Sequence, residues 1–201
     1  MVSGLTRDAA LEILDFVQKA IELISDDEKN NFINALVSAH KEGRRIFIVG
    51  AGRSGLVAKA FAMRLLHLGF SVYVVGETIL PSMSKGDVLV AVSGSGRTKS
   101  VVAIAEAAKS LGTKILALTS YLDSPLGKLA DIIVSIPGRT KLAEEEDYYI
   151  RQVLGVHEPL APLGTLFEAT TMIFLDGIVA ELMHKLGITE SELQERHANI
   201  E

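Results

Sequence analysis

From Leu5 to about His40 the apolar residues return at spacings of three and four: Ile13, Phe16, Val17, Ala20, Ile21 and Ile24, then Phe32, Ile33, Leu36 and Val37. This period lines one helix face and predicts two amphipathic helices, parted near Ser25-Asp26-Asp27, with Ser25 or Asp26 capping the second. After Gly43 the pattern becomes a continuous apolar run, Ile46-Phe47-Ile48-Val49, that ends in glycines. Such a run predicts a strand covered on both faces, as parallel strands are. The alternation then repeats. Helices are predicted over residues 54–68 and 99–111, ending at Gly69 and Gly112, and strands over residues 72–75, 88–92, 115–118 and 132–134. Five apolar runs interleaved with helical segments form a βαβ series, which implies an α/β fold: a three-layer α/β/α sandwich around a five-stranded parallel sheet, related to the Rossmann class.

The pattern lapses between Pro137 and Pro162, a polar stretch holding Glu144-Glu145-Glu146-Asp147 and Tyr148-Tyr149. It is read as a loop or a helical excursion whose acidic run is a solvated surface. Residues 164–186 form one helix that is apolar nearly all round, so central burial is expected, and Gly187 ends it before a polar tail over residues 189–201. No repeat or linker divides the chain. One domain over residues 1–201 is expected: helices 1–42, core 43–137, insert 138–162, and final helix with tail 163–201.

Composition narrows the chemistry. The chain has 201 residues, 48% hydrophobic and 22% charged, a balance that excludes bulk disorder. No apolar run is long enough to span a membrane and the start lacks a secretory pattern, so a soluble, cytoplasmic protein is expected. The absence of Cys excludes disulfides, thiolate metal sites and cysteine nucleophiles. A net charge of -5, no Trp and only 5% aromatics argue against nucleic-acid binding, whereas a small phosphorylated ligand needs only a few local donors.

Ligands of open α/β sheets bind at the carboxyl ends of the strands, and two turns there carry chemistry. Gly50-Ala51-Gly52-Arg53-Ser54-Gly55 after the first strand satisfies G-x-G-x-x-G, and Glu77 lies 22 residues beyond Gly55, where a dinucleotide fold places its ribose-binding acid. An NAD-dependent oxidoreductase therefore stays open at this turn. Ser93-Gly94-Ser95-Gly96-Arg97-Thr98 after the third strand favours phosphate instead: the hydroxyls of Ser93, Ser95 and Thr98 stand among glycines where a helix begins, and free N–H groups there attract an anion. The plainer alternative is a turn with Thr98 as a simple N-cap. Arg53 and Arg97 border the two turns and are open to either phosphate or surface acids. His67 is expected to be packed. Glu181 and His184 are read as a solvated helix edge, since a second carboxylate-His pair for a metal is missing.

These turns, together with Val75-Gly76-Glu77-Thr78 and Pro81, Pro162-Leu163-Gly164-Thr165-Leu166-Phe167-Glu168, and Arg196-His197-Ala198-Asn199, resemble the sugar isomerase (SIS) domain family over nearly the whole chain, and within it the branch acting on hexulose 6-phosphates. The resemblance implies interconversion of D-arabino-3-hexulose 6-phosphate and D-fructose 6-phosphate, as in the ribulose monophosphate route of formaldehyde fixation, without metal or cofactor, in a homodimer or homotetramer. By it, Glu168 matches the base, His197 a proton-transfer histidine often contributed by a neighbouring chain, and Ser54, Ser93, Ser95 and Thr98 phosphate or sugar contacts; Gly52, Arg53, Gly94 and Arg97, in the same two turns, complete the candidate substrate-binding residues. It leaves room for an arabinose 5-phosphate isomerase or a noncatalytic sugar-phosphate sensor. The residue types agree independently. Moving a carbonyl between C3 and C2 takes one carboxylate that removes and returns a proton, and an imidazole suits the enediolate oxygens.

Overall fold

A computed structural model of the chain describes residues 4–138 and 160–197. The greater part of the insert expected over residues 138–162, including the acidic run, lies outside them. Two helices, α1 (Leu5–Glu22) and α2 (Asp26–Lys41), precede the series β1 (Ile46–Gly50), α3 (Gly52–His67), β2 (Val72–Val74), β3 (Val88–Val92), α4 (Lys99–Ser110), β4 (Lys114–Thr119), α5 (Pro125–Leu129) and β5 (Ile132–Ser135). Beyond the insert come a long helix, α6 (Thr165–Leu186), and a short one, α7 (Glu190–Glu195). The sheet is five-stranded with order β2-β1-β3-β4-β5, and every pairing is parallel. None of the described helices is long and apolar enough to cross a membrane.

The continuous apolar runs follow from two buried faces. Ile46 and Ile48 of β1, Val88, Val90 and Val92 of β3, and Leu116 and Leu118 of β4 point into a core closed by α2, α3 and α6. The alternate residues Phe47, Val49, Leu89, Ala91, Ile115 and Ala117 meet α4 and α5 on the other face. Side chains alternate along a strand, so a strand with both faces covered must be apolar at every position. Each large side chain so buried contributes about 1.5–3 kcal/mol.

Helix starts resolve several details. Ser25 caps α2, its hydroxyl accepting from the Glu28 amide at 3.5 Å. Instead of reaching back, the Glu28 carboxylate accepts the Ser135 amide of edge strand β5 at 2.7 Å, which ties α2 across the sheet margin. The periodicity missed α5, because five residues are too few for a repeat. Its signal was local: Ser124 accepts the Gly127 amide at 3.1 Å and Pro125 opens the helix. Likewise α7 arises inside the expected polar tail from a capping box between Thr189 and Glu192. The long helix α6 departs from central burial. Leu166, Phe167, Phe174, Leu175, Ile178 and Leu182 are buried, but Ile173 is 47% exposed and Asp176, Gly177 and Ala180 face solvent, since only part of its circumference is covered.

At the opposite edge of the sheet from the strand ends that carry the two turns, Asp87 locks β1 to β3. It is buried, and its carboxylate accepts the Arg45 amide (3.1 Å), Arg45 Nη2 (2.8 Å) and the Ser84 amide (2.8 Å). Burial alone pushes its carboxyl pKa up, but hydrogen bonds from the Arg45 side chain and from the Ser84 and Arg45 amides, with the Arg45 charge, hold it below the ordinary 3.8. The group therefore stabilises the fold above about pH 4, and that contribution disappears as pH falls through the depressed folded value. Asp87→Ala leaves the partly buried Arg45 cation and two amides without their acceptor and is expected to cost about 1–3 kcal/mol in urea unfolding at neutral pH. The gap from wild type should narrow steadily between pH 5 and pH 2; a gap independent of pH would mean the charge contributes nothing.

Candidate active site

The strand order places the connections from β1 and β3 on opposite faces, α3 on one and α4 on the other. A crevice opens where they part, above the carboxyl ends of the two strands, and ligands of such sheets bind there. The glycines of the first turn have separate physical tasks. A Cβ on Gly50 would stand 2.8 Å from the Ser54 carbonyl oxygen, and one on Gly55 would stand 2.9 Å from the Gly50 carbonyl oxygen. These two let β1 and the first turn of α3 touch backbone to backbone. Gly52 has open space around it but a φ of +56°, so its reason is conformational. Ala51 at the N-cap supplies no side-chain acceptor, which leaves the first amides of α3, near half-buried Ser54, without a side-chain cap.

The second turn differs from a plain capped helix start. Thr98 occupies the N-cap of α4, yet its hydroxyl makes no cap and lies 3.0 Å from the Ser93 hydroxyl. Ser95 Oγ accepts the Arg97 amide at 3.2 Å and the residue is exposed. The turn is braced by the segment after β4: the Gly94 carbonyl accepts the Ser120 amide (3.0 Å), the Gly96 carbonyl accepts the Leu126 amide (3.0 Å), and Gly96, at φ +59°, lies so close to Ser124 that a Cβ would sit 2.0 Å from its hydroxyl. Sequence periodicity did not single out Thr119, Ser120 or Ser124 as supports; the Ser-Pro helix start was their only signal.

The first turn of α6 closes the crevice. The Phe167 ring covers Gly94, where a Cβ would lie 3.0 Å from it. Glu168 is buried at 9% exposure and its carboxylate accepts Arg53 Nε in an ion pair, while the Arg53 side chain is 64% exposed. Gly164 begins the helix at φ +86°, and a Cβ there would come within 3.2 Å of Glu168 Oε1. The turns holding Gly52, Arg53 and Ser54, those holding Ser93, Gly94, Ser95 and Thr98, and Glu168 are thus gathered at one place. Arg53 finds its acid in this crevice, not among surface acids. Arg97 makes no ion pair among the described residues; it lines a cavity of about 280 Å³ with Ser120, Tyr121, Leu122, Asp123 and Ser124.

His197 is not gathered. Its ring contacts that of buried His67, centroids 4.9 Å apart, at the last residue of α3, whereas Arg53 meets Glu168 at the first turn of the same helix. At 1.5 Å per residue those ends are roughly 20 Å apart. Glu77 pairs with Lys59 of α3 on the surface, and Glu181 with Lys185 one turn on in α6.

A SIS domain profile matches residues 40–144, which include the parallel sheet and both glycine-bearing turns. The chain belongs to the SIS domain family. It is 39% identical over 196 residues to 3-hexulose-6-phosphate isomerase of Bacillus subtilis, covering 98% of this chain and 99% of that protein. It is 56% identical over 190 residues to an uncharacterized protein of Aeropyrum pernix, covering 94% and 90%. A solved structure from Methanococcus jannaschii, for which a 3-hexulose-6-phosphate isomerase function was inferred, superposes with a TM-score of 0.72 at 37% identity, covering 96% of this chain and 97% of that one.

The glycine geometry is open to test. Gly55→Ala is expected to cost about 1–3 kcal/mol, since the obstacle is backbone that has no rotamer to change. Gly52→Asn, at a site with space and a left-handed backbone that Asn tolerates, should cost about 1 kcal/mol or less. Thermal unfolding of both variants checks the order; equal losses would mean that close approach is not the reason for Gly55.

Proposed function

We propose that the chain is a 6-phospho-3-hexuloisomerase, interconverting D-arabino-3-hexulose 6-phosphate and D-fructose 6-phosphate through a cis-enediol. The observation that carries this reading is the buried Glu168, paired with Arg53 and set beside a hydroxyl-lined helix start. The relatives named 3-hexulose-6-phosphate isomerase support the substrate class.

The phosphate is held at the second turn, by the hydroxyls of Ser93, Ser95 and Thr98 and the uncapped amides of α4, with Ser54 and the first amides of α3 facing the sugar. The anionic substrate draws on the exposed Arg53 guanidinium, so the Glu168 carboxylate is released toward the carbon chain. Glu168 takes the proton from C2 as the C3 carbonyl oxygen gains negative charge, which Arg53 offsets. The enediol oxygens exchange a proton, O2 giving and O3 receiving. Glu168 then returns its proton to C3 as the C2 carbonyl forms. Every step in this sequence is a proton transfer.

His197 enters as the proton carrier for the enediol oxygens, supplied by a second copy of the chain. The support is distance: within one chain it stands at the far end of α3 from Glu168. Closed, symmetric association is the common way for such a residue to reach a neighbouring site.

Glu168→Gln is expected to fold and to bind fructose 6-phosphate while proton exchange at C3 in deuterated water falls at least ~100-fold, the usual contribution of a positioned base. Exchange within tenfold of wild type would remove Glu168 from that role. Mixed oligomers of Glu168→Gln and His197→Ala chains, each inactive alone, should recover part of the wild-type rate, because some sites then receive both intact residues. Verified mixing without recovery would reject the shared site.

A further inference from the structure

We infer that Arg196 is a positioning residue that seats His197 on the end of α3; this rests on the reading of His197 as a proton carrier. His197 lies two residues past α7 and is exposed, so the helix alone does not fix its ring. The helix is anchored on its inner side, where Ile188 and Leu193 pack against the core, and its start is set by the Thr189 capping box. Beyond Glu195 the chain is held differently. The Arg196 amide donates to the Leu193 carbonyl and the His197 amide to the Gln194 carbonyl, both at 3.2 Å.

The Arg196 side chain then crosses to α3. Its Nη1 donates to the His67 carbonyl oxygen at 3.2 Å. That carbonyl belongs to the last residue of the helix, where acceptors lack intrahelical partners and a cation is favoured by the dipole. Gly69 makes room: a Cβ there would stand 2.9 Å from Arg196 Nη1 and 3.3 Å from its guanidinium carbon, at a φ of +83°. The guanidinium is therefore laid against the turn that ends α3, and the adjacent His197 ring is brought onto the His67 ring. The clamp joins a backbone acceptor, a cleared glycine and a ring contact on one helix end, and it holds the residue that must reach a site elsewhere with a fixed direction.

Misplacing a proton carrier slows the chemical step without weakening phosphate binding. Arg196→Ala is expected to lower kcat about tenfold or more, with KM for fructose 6-phosphate and the thermal midpoint within error of wild type, and Arg196→Lys should recover part of the loss because an ammonium still donates to the His67 carbonyl. His197→Ala is measured beside them. If His197→Ala is inactive while Arg196→Ala keeps kcat within twofold, the clamp is overturned and the role of His197 stands. If His197→Ala is fully active, the role of His197 fails and the clamp with it. A loss in Arg196→Ala that comes with a lowered midpoint and an equal change in KM would mark Arg196 as structural and also overturn the inference.

Discussion

The contact between Gly50 and Gly55 is the constraint on which the rest of the crevice depends. A methyl group on either would meet backbone at less than 3 Å, so only glycine lets β1 run directly into the first turn of α3. That closeness places the start of α3 at the end of the central strands and sends Arg53 toward α6. It also brings uncapped amides of α3 to the same place as those of α4, where the Ser93 and Thr98 hydroxyls bond to each other and leave the helix start uncapped. Two helix starts facing one crevice make a region of positive potential in a chain of net negative charge. Local donors, not the overall balance, decide what such a site attracts.

The Arg53–Glu168 pair adds a second constraint. A buried carboxylate is costly unless paired, and this one has a partner whose own side chain is largely in water. The pairing holds the Glu168 carboxylate in the crevice, while the Arg53 side chain is 64% exposed and can meet an arriving anion. In the proposed reaction the same cation thus serves the resting protein and the developing enediolate. The cover of Phe167 over Gly94 fixes how deep the carboxylate lies relative to the second turn, and in the proposed reaction the spacing of α6 and α4 answers to the length of the sugar phosphate.

The two ends of α3 divide the work. Its amino end makes the crevice; its carboxyl end is a docking place for the tail, where Arg196, His67 and His197 meet around Gly69. A rigid helix between them holds the two at a set separation, which the proposed assembly of several chains would turn into a relation between neighbours. The exposed leucines of α1, Leu5, Leu11 and Leu14, show that the outer helix is only lightly covered within one chain.

Much of this was legible in the sequence, and for physical reasons. Strands covered on both faces must be continuously apolar, so all five are found to within a residue or two, and the glycine-ended helices α3 and α4 between them follow. The two turns announced themselves because closeness and positive φ admit few residues but glycine. Short elements were not legible by period: α5 and α7 are five and six residues long, and only their capping residues betrayed them. Which groups meet was decided by tertiary structure alone. Arg53 and Glu168 are 115 positions apart, and Arg196 and His67 are 129 apart. Hydrophobic period and cap chemistry describe neighbours along the chain; such long-range pairs depend on how the sheet order and the packing of α6 and α7 on α3 set distances in space, which no local pattern encodes.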